Sequence, residues 1–219
     1  MSGEMNFELV KSALTTTLGA QAAARFVVQG YEARNHAAED FLANRHVEVH
    51  FSNSQFDKSK SGWTSGPFHH GLRFTIGLSV AADARADLTV LSDPDAEAVA
   101  LASALAASLE AGARADALWD ELARIVWGIL MLPANMQLGM TSPVVQSRFV
   151  DSIAKNPVQP RGKYVILSGS LEYSCSVVEY PATVTPTPAG AGAVDTTITQ
   201  TADPTGATTD TAKQGAQAP

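Results

Sequence analysis

The amino-acid sequence predicts an α+β fold: helices packed on an antiparallel four-stranded sheet, in the order α-β-β-α-α-β-β. Three observations carry that expectation. Leu72, Phe74, Ile76, Leu78 and Val80 alternate with Arg73, Thr75, Gly77 and Ser79, the period of a half-buried strand. Leu167, Leu171, Tyr173, Cys175 and Val177 alternate with Ser168, Ser170, Glu172, Ser174 and Ser176 in the same way. Between these two stretches lies an Ala- and Leu-rich region with helical spacing. Helices grouped between two hairpins point to a layered sheet-and-helix sandwich.

The elements follow in order. Phe7, Val10, Leu14, Leu18 and Phe26 fall near one helical stripe, which predicts a helix from Asn6 to about Tyr31, weakened at Gly19. Asp40 to Asn44 reads as a connector. From His46 to Ser52, Val47, Val49 and Phe51 point one way and His46, Glu48 and His50 the other, a second half-buried strand. The polar stretch Asn53 to Pro67 reads as a long hairpin loop leading to the strand at Leu72. Asp93-Pro94 has the form of an N-cap followed by proline at the first helical position. A helix to about Ala111 is expected, with Ala98, Ala102, Leu105 and Leu109 as a narrow packing face. Gly112 should break it. A second helix should run from about Ala115 to Leu132, burying Leu118, Leu122, Ile125, Ile129 and Leu132. Val144 to Ile153 and Val165 to Tyr180 should form the closing strands, with Arg161-Gly162 in the turn between them.

Composition divides the chain into two parts. Residues 1–180 read as the folded domain. Residues 181–219 hold no aromatic residue and one lysine, Lys213, in a background of Thr, Ala, Pro and Gly. Such a segment buries too little apolar surface to offset its ordering entropy, so it reads as a disordered tail. The whole 219-residue chain carries a formal charge of −7. That argues against a duplex-DNA reader, which needs a basic face. A single cysteine excludes an internal disulfide. No targeting segment is evident. The most apolar run, Ile125 to Leu132, is too short to span a bilayer, so a soluble protein is expected.

Few residues suggest chemistry. There is no phosphate-binding glycine loop and no nucleophile elbow. Cys175 reads as a buried strand residue. His46 and His50 lie roughly 13 Å apart along one strand, too far to share a zinc ion. A site joining His50 to His69 or His70 across the hairpin would need a third ligand, and exposed or interfacial histidines are the simpler reading. Lys58, Lys60 and Arg73 with Phe56 and Trp63 form a small basic and aromatic cluster. It suits a loop tip that contacts another protein better than a base-stacking platform. Trp119, Val126, Trp127 and Leu130 make the far half of the second helix apolar nearly all round, so it should be deeply buried or lie in an interface. The interface candidates are therefore Phe56, Lys58, Lys60, Trp63, Trp119 and Trp127.

The order of elements resembles the tail terminator proteins of long-tailed phages. The residues that carry the likeness are His46-Val47-Glu48-Val49-His50-Phe51, then Leu72 to Val80, two helices, and a closing strand Leu171-Glu172-Tyr173-Ser174-Cys175-Ser176-Val177-Val178-Glu179-Tyr180. The likeness covers about residues 5–180. The Thr-rich tail and the stretch Asn135 to Ser142 depart from it. The resemblance implies a structural virion protein of the tail neck, assembled in the host cytoplasm as a homo-oligomeric ring, usually hexameric. Such a ring caps the tail tube, stops its elongation and provides the head-joining surface. The implied partners are the tail tube protein, a head-completion or neck protein, and DNA passing through the lumen without sequence recognition. No membrane, cofactor, metal or catalytic residue is implied. The alternatives are another neck or tail-completion protein, a non-viral adaptor domain, and a histidine- or metal-dependent hydrolase.

Overall fold

The computed structural model describes residues 6–22, 26–29, 45–57, 68–140 and 145–179, together with the backbone of 182–187, 195–200 and 212–213. The fold is α+β. Two helices pack on one face of a mixed six-stranded sheet. Helix α1 is Asn6–Gln21 and α2 is Ala98–Met131. The strands are β1 (Val27–Gln29), β2 (His46–Phe56), β3 (Phe68–Asp83), β4 (Val145–Lys155), β5 (Gln159–Arg161) and β6 (Tyr164–Glu179). The sheet order is β1-β2-β3-β6-β4, and β5 continues the β4 side of β6.

The centre of the sheet is the β3–β6 ladder, in register from Phe68↔Glu179 to Asp83↔Tyr164. Its alternation is that of the sequence: Leu72, Phe74, Ile76, Leu78 and Val80 face the helices with Leu167, Leu171, Tyr173, Cys175 and Val177, all buried. Full burial of one such side chain contributes about 1.5–3 kcal/mol, so this double row dominates the core. The opposite face is polar. There Ser52 and Thr75 share a hydrogen bond, Thr75 donates to Glu172, and Ser147 pairs with Ser176.

Several expectations are corrected. The sheet has six strands and is mixed, because β1 pairs in parallel with β2, Val27↔His46 to Gln29↔Glu48. The N-terminal helix ends at Gln21 instead of running to Tyr31. The β-branched Val27 and Val28 gain more in the sheet than in a helix, and Val27 N–H donates to the Arg45 carbonyl. The hairpin arms also extend beyond the alternating core, so Phe56 and Phe68 are strand residues. The connector 40–44 and the loop segment 58–67 lie outside the described residues.

The two helices expected around Gly112 are one helix of 34 residues. Glycine in a helix costs about 1 kcal/mol. Good helix formers flank Gly112, and Ala111, Gly112 and Ala115 are buried against the sheet, which outweighs that cost. The Asp93-Pro94 signal does not start the helix. Asp93 accepts the Asp95 N–H at 3.0 Å, closing a local turn, and α2 begins after Glu97. The face expected to pack, Ala98, Ala102, Leu105 and Leu109, is exposed. Before Ala111 the buried residue of the helix is Ala104, and the helix contacts the 3-10 segment Leu88–Ser92.

After α2 the chain turns through Pro133–Asn135. Buried Asn135 exchanges amide hydrogen bonds with Gln21 and donates to the Ile129 carbonyl, which ties the end of α1 to the end of α2. Gly162, at φ 57°, is the first residue of the two-residue turn that joins β5 to β6. In the segment read as a disordered tail, the backbone pairs three short strands, β7 (Ala182–Thr187), β8 (Asp195–Gln200) and β9 (Ala212–Lys213), in a separate sheet.

Candidate interaction surface

The most distinctive surface runs along the β4 flank of α2. The inner side of the helix buries Ala111, Ala115, Trp119, Leu122, Val126 and Ile129. At 100° per residue, Leu105, Leu109, Asp116, Asp120 and Trp127 fall within about 60° of arc beside that inner side. The apolar members of this stripe are bare, Leu109 at 67% exposed, Leu105 at 54% and Trp127 at 47%, and the charged Asp116 and Asp120 lie between Leu109 and Trp127. Lys155 at the end of β4 fixes which way the stripe points. It donates to Asp116 at 2.8 Å and to Asp120, and its ammonium sits 4.9 Å from the Trp119 ring. These bonds hold the Lys155 ammonium above its ordinary pKa. The aspartates are more than half exposed, so the pair orients the strand end and adds little stability.

Beside the stripe lies a sheet edge. Among the described residues β4 pairs only with β6, so its outer backbone groups face outward. Two register shifts, at Val145/Ser147 and Val150/Ser152, break the regularity of this edge, as natural edges often are broken. At its start, the Gln137 side chain donates to the Val145 carbonyl and accepts its N–H, so this residue is already satisfied. Further along, Phe149 and Ile153 are exposed. Ile153 forms an open groove of about 340 Å³ with Trp119, Asp120, Ala123, Arg124 and Trp127. Strand edge and apolar groove thus occupy one flank, and a partner would meet both.

The six interface candidates separate. Trp127 lies on the stripe. Phe56 is exposed at the end of β2, stacked at 4.6 Å on the His70 ring. Trp119 does not lie on the surface: it is 3% exposed and packs on the β6 backbone at Gly169. Lys58, Lys60 and Trp63 lie outside the described residues. Arg73 is exposed on the polar sheet face, in an open cavity of about 710 Å³ lined also by Asn53, Gln55, Ser147, Phe149 and Ser174. The residues that sequence reasoning missed are Leu105, Leu109, Phe149, Ile153 and Lys155. The first two were assigned to the core, and strand alternation alone does not distinguish an edge strand from a central one.

The histidines do not converge. His50 is in register with Thr75, five positions along β3 from His70, and it contacts Glu48 at 3.3 Å. His46 and His70 are buried, contrary to the exposed or interfacial reading, and His70 bonds Ser54 at 2.7 Å. Among the described residues no three His, Cys, Asp or Glu side chains are grouped to hold a metal ion. Burial pushes the Cys175 thiol up to about 12. In the folded protein it should therefore resist a thiol reagent at pH 8 and react fully in urea, as mass spectrometry would show. The linkage sign follows. The unfolded thiol ionises near 9.0 and the folded one near 12. The stability associated with the neutral thiol is complete below the lower value and is lost as the pH rises towards the upper one.

By length and composition, α2 contains an 18-residue window apolar enough to cross a membrane, of which 22% is buried. Core helices of soluble proteins, which are mostly buried, share that length and composition. No family model and no curated protein sequence matches the chain.

Proposed function

We propose that this protein is a structural assembly subunit of the tail terminator type, forming a ring that caps a tail tube, stops its elongation and presents the surface for head joining. One observation carries the reading: exposed apolar side chains of α2, Leu105, Leu109 and Trp127, share a flank on which Trp127 forms a groove with Ile153 at the outward-facing edge of β4. Apolar surface of this kind next to a strand edge marks a protein contact. A closed ring is built from such contacts repeated about an axis. The specific role rests on the sequence resemblance carried by His46 to Phe51, Leu72 to Val80 and Leu171 to Tyr180, and the acidic charge of −7 suits a body that DNA passes without being held.

The test is particle mass and shape by mass photometry and negative-stain imaging. The expected result is a closed ring of about six subunits. Added to polymerising tail tube protein, it should cap tube ends and arrest growth. A protein that stays monomeric at high concentration, and leaves tube growth unchanged, would point instead to an adaptor domain.

A further inference from the structure

We propose that the β4–α2 flank docks the opposite flank of a second copy, head to tail, so that the neighbour's β1 adds to β4 and its α1–β1 region covers Leu105, Leu109 and Ile153. The inference rests on the assembly reading above and specifies its contact. The occupant must supply a strand as well as apolar surface, because the groove of Trp127 and Ile153 adjoins the backbone edge of β4.

Strand direction favours a copy in the same orientation. β1 runs parallel to β2, while β2–β3, β3–β6 and β6–β4 are each antiparallel. β1 and β4 therefore run in opposite directions within one subunit. A second copy set beside β4 without inversion presents its β1 antiparallel to β4, the more stable pairing. The helix layer follows the same order. α1 lies over the β1–β2 side and α2 over the β3–β6–β4 side, so the α2 stripe of one copy meets the α1 side of the next.

The chemistry of the stripe disfavours a lipid surface. From Ala98 to Ala113 the only charged residue is Glu110, whereas helices that lie on anionic membranes carry Lys and Arg beside their apolar face. The remainder of α2 carries Arg114, Asp116, Asp120, Glu121 and Arg124 and is packed on the sheet, with Arg114 paired to Glu110. Pairing of β4 with another β4 would be isologous and would end assembly at a dimer, whereas the two different flanks proposed here repeat.

The experiment uses the full chain in two arms. Leu105→Lys/Leu109→Lys and Ile153→Lys replace exposed side chains, so melting temperature and circular dichroism should hold. Self-association should weaken at least tenfold, on the scale of an interface hot spot. In the second arm a photoreactive benzoylphenylalanine replaces Ile153, and cross-linked peptides are mapped by mass spectrometry. Cross-links to residues 6–29 of another copy are expected. Cross-links to residues 145–155 would overturn the head-to-tail contact, as would rings that survive both lysine variants, and either result would leave the ring reading intact. A wild-type chain that never self-associates would overturn both. Cross-links to 6–29 in open chains would support this contact while removing the closed ring.

Discussion

Trp119→Ala is expected to lower the stability of the domain by about 3–5 kcal/mol, the range for deleting a large buried aromatic side chain. Trp119 is 3% exposed and fills the space between α2 and the strand backbone at Gly169, with the Lys155 ammonium over its ring. The facing position on the strand, Gly169, has no side chain with which to fill the void. For a domain of this size the melting temperature should fall by roughly 10 °C or more. Trp119→Phe should lose far less, about 1–2 kcal/mol. It keeps part of the ring and also removes the indole Nε1, which is buried without a hydrogen-bond partner. Chemical denaturation of the three proteins would check the ranking. An alanine variant within 1 kcal/mol of wild type would mean that the helix does not seat on the strand through this residue.

The second large effect comes from the other side of the same contact. A β-carbon on Gly169 would lie 2.5 Å from Trp119 Cζ2 and would also strike the Ala154 carbonyl oxygen of β4. Gly169→Val should therefore cost about 2–3 kcal/mol through overpacking, despite the strand preference of valine. The strain lies against backbone on one side and a large ring on the other, so it cannot be relieved by one rotamer change. The double variant Gly169→Val/Trp119→Ala should be less damaged than the sum of its parts by about 1 kcal/mol or more, because removing the ring opens room for the new methyl groups. Additive losses would show that the valine acts through the β4 carbonyl alone.

These two residues also show what was legible in the sequence. The central strands were, because each has one buried face and its side chains report that face directly, as Leu72 to Val80 and Leu171 to Val177 do. The phase of α2 was not. Its first half is alanine and leucine nearly all round, so several apolar faces compete. The buried face includes Ala104, a choice that no spacing rule singles out. The tryptophans were ambiguous for the same reason. Trp119 and Trp127 are about 80° apart on the helix, and only the glycine beneath the first decides which is buried. Gly169 was the available clue, since a lone glycine in a strand often marks the close approach of another group. The edge position of β4, and with it the exposure of Phe149 and Ile153, depends on which strands pair across the chain. Local pattern does not contain that information.

The long central ladder has a consequence for how the chain reaches its native state. Partners in the β3–β6 pairing lie about 80 to 110 positions apart along the chain. During synthesis β2 and β3 can meet as soon as both have emerged, and α2 can form from local contacts alone. The apolar row of β3 still has no mate until β6 leaves the ribosome. The nascent hairpin then holds Leu72, Phe74 and Ile76 without their sheet partners while about 80 to 110 further residues are made. Folding should be slow for a domain of this length, and the half-made chain is the species most exposed to aggregation.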